Sequence, residues 1–217
     1  MTKIGGDTQI RYDEGCLAAH ALNVIGDRWA LLVVRELIFV PKRFQAIRAG
    51  LPGITASVLT RRIAQLVEGG VVRRMPHSTS YALTDSGRGL LPVLQAMCRW
   101  GAQHPGHDPC RFISPTALMI SMTAMAQPVR QGDCVDAGLD FGEERFLFRL
   151  RSSGAPEVEA VETPDAPFVL SGSGNALAHA VYGPFALTDH VGQGRISLSG
   201  DVAAAQDFVD MFQLRRT

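Results

Sequence analysis

The sequence predicts an α+β protein of two domains, residues 1–110 and 111–217, and three observations carry that expectation. Apolar residues recur at helical spacing through most of the first half, broken by one short pair of strand-like segments. A Pro- and Gly-containing string, HPGHDPCRFISP at 104–115, then interrupts the chain and reads as a linker. Beyond it, one apolar helix leads into short runs rich in β-branched and aromatic residues, the signature of a mainly antiparallel sheet flanked by helices. Charge divides at the same place: 14 Lys and Arg face 8 Asp and Glu up to Arg111, and 7 face 13 afterwards, so a chain of zero net charge splits into halves of +6 and −6. Only the first half has the electrostatic footprint that phosphate neutralisation requires. With 217 residues in all, each half is long enough to bury a core of its own.

The N-terminal domain is organised around residues 42–83. Segments 44–51 and 56–67 have helical periodicity, and Pro52-Gly53 between them compels a turn. In the second segment Val58, Leu59, Ile63, Leu66 and Val67 form an apolar stripe, with Ser57, Thr60, Arg61, Ala64 and Gln65 opposite. Thr55 is placed to cap its amino end. A short, polar, basic face suits the DNA major groove, where Arg bonds guanine edges and Ser or Thr reach bases or phosphates; an ordinary amphipathic surface helix has the same pattern. Gly69-Gly70 stop this helix, Val71 and Val72 begin a strand, and Tyr81, Ala82 and Leu83 return as a second. Between them 75–80 form a hairpin tip with Arg74, His77 and Ser78 placed for sugar-phosphate contact, and Pro76 restricting pairing. Helix, turn, helix, strand, basic tip, strand is the order of a winged helix-turn-helix. On this reading Ser57, Thr60 and Arg61 face bases, Thr55 and Arg62 touch backbone or neighbouring edges, and Arg43, Arg74, His77 and Ser78 hold phosphates.

A family resemblance follows from the same residues. Cys16, Gly26-Asp27-Arg28-Trp29, Leu31-Leu32, Arg35-Glu36-Leu37, Arg43-Phe44, Leu51-Pro52-Gly53-Ile54, Val58-Leu59, Arg61-Arg62-Ile63, Leu66, Gly70-Val71-Val72, Tyr81-Ala82-Leu83-Thr84, Gly87 and Trp100-Gly101 occur in the order typical of HxlR-type bacterial regulators. The first half resembles that family, apart from a wing shorter than usual at His77-Ser78-Thr79-Ser80 and without the family's paired prolines. The resemblance implies a sequence-specific DNA-binding transcriptional regulator. It also implies a homodimer built from the N-terminal helix and the helix near 85–103, with two reading helices on half-sites of a palindromic operator about 34 Å apart. The apolar residues of that later helix, Leu90, Leu91, Leu94, Met97, Cys98 and Trp100, fit an intradomain core equally well. In some members a cysteine near the first helix senses oxidants or electrophiles; Cys16 stands there, with Arg11 and His20 as the nearby cations and plain packing as the alternative.

Around this unit, 1–13 read as a loose tail, and Trp29, Leu32, Val33, Leu37 and Val40 repeat at core spacing. Thr84 caps a helix reaching about Gln103, which either begins near Gly89 or bends at Pro92. After the linker, 116–126 is a helix with Met119, Met122 and Met125 at packing intervals. Strands are expected at 134–141, 145–151, 158–161, 168–170 and 194–201, with helices at 175–182 and 202–212. That order, with Gly194-Arg195-Ile196-Ser197-Leu198-Ser199-Gly200-Asp201 near its end, resembles the sterol-carrier-protein type two domain. The resemblance implies a tunnel for lipid-like ligands, hence an apolar small-molecule effector. A filled core serving only dimerisation would need the same inward-facing residues.

Several chemistries find no support in the chain. Cys16, Cys98, Cys110 and Cys134 form no C-x-x-C pair, and His104 and His107 beside Asp108 and Cys110 lie in the linker, where a rigid metal-ligand set is not expected. Gly172-Ser173-Gly174 is not a nucleophile elbow, and 172–176 lacks the context of a dinucleotide fingerprint. The apolar run at 29–40 is broken by Arg35 and Glu36, and no signal peptide is visible. A cytoplasmic protein is expected, neither an enzyme nor dependent on a cofactor, metal or membrane. Two rivals remain: a hydrophobe carrier whose basic half docks on something other than DNA, and a regulator switched through Cys16.

Overall fold

The computed structural model describes residues 12–130 and 134–212. The N-terminal half begins with α1 (Leu17–Ile25) and α2 (Ala30–Glu36), then the two-residue strand β1 (Lys42–Arg43). Helices α3 (Phe44–Ala49) and α4 (Ala56–Glu68) follow, then β2 (Val72–Arg74), β3 (Ser80–Leu83), α5 (Asp85–Arg88) and α6 (Leu91–Gln103). The turn between α3 and α4 requires Gly53 at φ 91°, a left-handed conformation that a Cβ disfavours. Gly70, at φ 69°, similarly lets the chain leave α4 and enter β2. The strands form a sheet in the order β1-β3-β2, antiparallel throughout. Val33, Val34, Ile47, Leu59, Leu66 and Leu83 are the centre of the core beneath it.

The alternatives around Pro92 resolve into two helices. Thr84 caps only the short α5, its hydroxyl accepting from the Gly87 amide at 3.1 Å. Pro92 then sits in the first turn of α6, where its missing N–H has no intrahelical partner to lose. The loose tail expected at 1–13 lies almost entirely outside the described residues.

The helix α7 (Pro115–Met125) is capped by Ser114, whose hydroxyl accepts from the Ala117 amide at 3.2 Å. It has no polar face: Thr116, Leu118, Met119, Ile120, Met122 and Thr123 are all buried. A helix apolar all round must be covered all round. Ile120 packs into the N-terminal core, while Leu118, Met119 and Met122 belong to the C-terminal one. Phe39 also touches both cores and meets Phe146 edge-on, with ring centroids 5.9 Å apart.

The C-terminal sheet comprises β4 (Cys134–Asp140), β5 (Arg145–Arg151), β6 (Glu157–Ala160), β7 (Phe168–Ser171) and β8 (Ser197–Gly200), in the order β6-β5-β4-β7-β8. It is mixed, where a mainly antiparallel sheet is expected from sequence. Three of its pairings are antiparallel, but β7 crosses over to lie parallel to β4, pairing Gly138 with Val169. Helices α8 (Gly174–Tyr182), α9 (Leu187–Gly192) and α10 (Val202–Val209) accompany it. Of these, α9 was not foreseen, because six residues give too little periodicity to read. Phe146, Phe148, Phe168 and Phe208 are at most 1% exposed. Phe208 stands 5.7 Å from Phe148 and 4.9 Å from Phe212 between ring centroids, so aromatic rings fill the space between sheet and helices.

Candidate nucleic-acid interface

Helix α4 presents one face outward because the other is committed to the core. Leu59, Ile63 and Leu66 are 0–3% exposed, whereas Ser57, Thr60, Arg61 and Ala64 are exposed. The Thr55 hydroxyl accepts from the Val58 amide at 3.3 Å and lies 3.1 Å from the Ser57 hydroxyl, so the predicted cap is present. Thr60 donates its hydroxyl proton to the Ala56 carbonyl at 2.9 Å, leaving its oxygen lone pairs on the exposed face. The ridge is open, and the C-terminal half does not cover it.

Three sequence assignments on this helix need correction. Arg62 is 5% exposed; its guanidinium pairs with Asp27, ahead of α2, and donates to Gln65. It therefore binds α4 to the rest of the domain and does not belong to the outward face, and Gln65 is half-buried beside it. The reason is periodicity: position 62 is three residues after Leu59 and four before Leu66, squarely on the buried stripe. Val67, assigned to the apolar stripe, is 38% exposed.

The wing supplies the remaining predicted groups. Arg43, Arg74, His77 and Ser78 are all exposed. The tip is a tight turn, the Ser78 amide donating to the Met75 carbonyl at 3.4 Å, with Pro76 second and His77 third at φ 55°. The Ser78 hydroxyl accepts from the Ser80 amide at 3.1 Å, and the Arg74 guanidinium lies 5.6 Å from the centre of the Tyr81 ring. In β1, Arg43 pairs with Ser80, which brings it to the same edge of the domain as the wing.

Cys16 occupies the N-cap position of α1 and is exposed, followed by Leu17 at 86%. Helix α6 resolves into two apolar faces. Leu94 is buried at 4%, while Val93, Met97 and Trp100 are 40%, 48% and 67% exposed at intervals of four and three residues. Among the described residues no group of three His, Cys, Asp or Glu is placed to hold a metal ion, and no single helix is long and apolar enough to cross a membrane.

Sequence reasoning missed the buried polar residues behind the wing. Lys42, Glu36 and Thr116 are at most 5% exposed, and nothing in their spacing announces it.

A second helix with an exposed polar ridge, backed by a core and flanked by a basic hairpin, defines a winged helix-turn-helix DNA-binding regulator of transcription. Residues 24–108 match the HxlR-like helix-turn-helix family. An uncharacterized HTH-type transcriptional regulator of Methanothermobacter thermautotrophicus is 34% identical over 98 residues, which is 43% of this chain and 75% of that protein. The uncharacterized HTH-type transcriptional regulator YdeP of Bacillus subtilis is 35% identical over 107 residues, 47% of this chain and 84% of that protein. Among solved structures, the redox regulator HypR in its oxidized form is 33% identical with a TM-score of 0.39, over 43% of this chain and 99% of that one. The chain belongs to the HxlR family of transcriptional regulators.

Proposed function

We propose that this protein works in the cytoplasm as a homodimer that reads palindromic operators through α4, with its C-terminal half relaying an apolar small-molecule signal. The observation that carries the reading is the ridge of Ser57, Thr60 and Arg61, exposed above a helix face that is 0–3% exposed. Ser57, Thr60 and Arg61 face bases; Thr55, Arg43, Arg74, His77 and Ser78 hold the backbone. Arg62 is left out of the contact set because its guanidinium is committed to Asp27 and Gln65. The outward stripe Val93, Met97 and Trp100 supports dimerisation, as does the exposure of Leu17 and Leu22 on α1.

Selection of duplexes from a random pool tests this reading, since a recovered palindrome reports recognition, symmetry and half-site spacing together. Against the recovered duplex, Arg61→Ala should cost about 1–3 kcal/mol and relax preference at one position. Arg74→Ala should weaken specific and scrambled duplexes alike and lower the salt slope by about 1 per protomer. Equal losses on both duplexes for Arg61→Ala would defeat its role as a base reader.

The order of strands and helices, and the helices accompanying the mixed sheet, support the resemblance to a sterol-carrier-type domain. Its interior, however, is filled by Phe146, Phe148, Phe168, Phe208 and Phe212. An effector with an apolar body would instead fit the seam between the halves, where Ile38, Phe39, Leu91 and Val158 line a groove of about 320 Å³ that Arg88, Thr123 and Glu157 make partly polar. The filled interior weighs against a carrier that encloses its cargo. A second reading rests on the exposure of Cys16 at the head of α1, beside Leu17. Peroxide treatment should then change operator affinity in the wild type and leave Cys16→Ser unaffected; equal responses remove Cys16 from the mechanism.

A further inference from the structure

Behind the wing, charged side chains from both halves meet in one cluster, Lys42 and Glu36 enclosed at its centre and Arg35 and Glu144 at its rim with side chains 21% and 23% exposed. The Lys42 side chain is 4% exposed and that of Glu36 0%. Lys42 Nζ donates to Glu36 Oε2 at 3.3 Å, to Glu144 Oε1 at 2.7 Å and to Thr116 Oγ1 at 2.9 Å, which uses all three ammonium protons. Thr116 donates onward to Glu144 Oε2 at 3.1 Å, and Ser114 donates to Glu36 Oε1 at 2.7 Å. Arg35 forks onto the same Glu36 oxygen at 3.0 and 2.8 Å and reaches the Gly50 carbonyl at 3.0 Å.

The charge count depends on both halves being present. Arg35 and Lys42 outnumber Glu36 within the winged helix, and Glu144, from the turn between β4 and β5, brings the cluster to neutrality. An uncancelled charge in such a place is costly, so the ammonium ion favours the seated arrangement of the C-terminal half. Glu36 and Lys42 lie within the residues that match the family, 24–108, whereas Ser114, Thr116 and Glu144 lie beyond them.

We infer that Lys42 is a positioning residue for DNA contact, and that Glu144 and Thr116 of the C-terminal half fix its position. Lys42 and Arg43 are the whole of β1, paired with Tyr81 and Ser80 of the wing. A two-residue strand has too few ladder bonds to set its own register. Holding the Lys42 side chain in three hydrogen bonds fixes that register, and alternation then directs Arg43 outward. Seating of the C-terminal half and placement of Arg43 are thus one event, and a ligand that loosens the seam loosens the wing. The inference rests on the DNA-reading role proposed above.

The test uses the full-length protein with Glu144→Gln, which keeps the shape of the side chain and removes its charge. Long-range electrostatics alone predicts tighter DNA binding, because one negative charge is lost. Positioning predicts the opposite sign. Against the duplex recovered from the random pool by the wild type, affinity should fall about three- to tenfold and the salt slope by about 1 per protomer, as one phosphate contact is lost. Amide hydrogen exchange at 42–43 and 80–81 should quicken without DNA. Glu143→Gln removes the same charge from the adjacent exposed side chain and should leave exchange unchanged and affinity unchanged or higher. Thr116→Val, which removes only a hydroxyl, should reproduce the quickened exchange if the glutamine variant folds poorly. Matching behaviour of Glu144→Gln and Glu143→Gln in affinity and in exchange would overturn the inference. Should the pool yield no duplex, the DNA reading fails, and exchange at 42–43 and 80–81 still decides whether the cluster holds β1.

Discussion

Replacing Arg62 by Ala separates a structural arginine from Arg61, the one proposed to read DNA, one residue away on the same helix. The Arg62 side chain is 6% exposed and that of its partner Asp27 37%. Losing two buried methylenes costs roughly 1.6 kcal/mol at about 0.8 each. The ion pair with Asp27 adds about 1 kcal/mol, set at the low end because the half-open carboxylate rehydrates once its partner is gone. The hydrogen bond to Gln65 contributes about 0.5 kcal/mol more, for a total near 3 kcal/mol. Urea unfolding should therefore show a lower midpoint with an unchanged slope. Arg62→Met, which retains the aliphatic length, should lose only about 1–2 kcal/mol. Duplex affinity per folded molecule should change little in either variant. If Arg62→Ala unfolds at the wild-type urea concentration yet binds the recovered duplex tenfold more weakly, Arg62 reaches DNA and the inward placement is refuted.

Other expectations follow from single features. In the proposed dimer, Trp100→Glu puts a charge in the exposed stripe of α6 and should shift sedimentation from dimer to monomer; a dimer that persists would place the interface elsewhere. Gly50→Ala would drive a Cβ into the Glu36 carboxylate and should destabilise the protein by about 1–3 kcal/mol, read by thermal unfolding; an unchanged midpoint would show that the cluster yields easily. His190 is 2% exposed with neither ring nitrogen hydrogen-bonded among the described residues. Burial, with Arg195 and His179 adding positive charge nearby, holds it below its ordinary 6.5. The unfolded chain then binds a proton that the folded one refuses, so stability is full above pH 6.5 and declines as pH falls below it, by at most about 1.4 kcal/mol per pH unit. His190→Leu should flatten thermal midpoints below pH 6.5 relative to the wild type; identical slopes would clear His190 of the effect.

Much of the candidate site was legible in the sequence because it is local. Pro52-Gly53 and Gly69-Gly70 bound α4, Thr55 caps it, and a 3.6-residue period sorts Leu59, Ile63 and Leu66 from Ser57, Thr60 and Arg61. The same period, followed strictly, places Arg62 on the buried side; its charge suggested the opposite. In the second half, β5 was located to the residue by alternation, but the crossover that sets β7 parallel to β4 leaves no local mark.

Sequence by itself thus determined the family, α4 with its outward ridge, and most of the succession of strands and helices, missing the short β1 and α9 and the break between α5 and α6. Each is governed by neighbours a few positions apart, and propensity, periodicity and capping act at that range. Tertiary structure alone decided that α7 is common to both cores, that aromatic rings fill the C-terminal interior, and that Lys42 is buried between Glu36 and Glu144. The Lys42–Glu144 contact joins positions 102 residues apart. A lysine bound for the interior and one bound for water are spelled alike, and only the arrival of a distant carboxylate makes the difference.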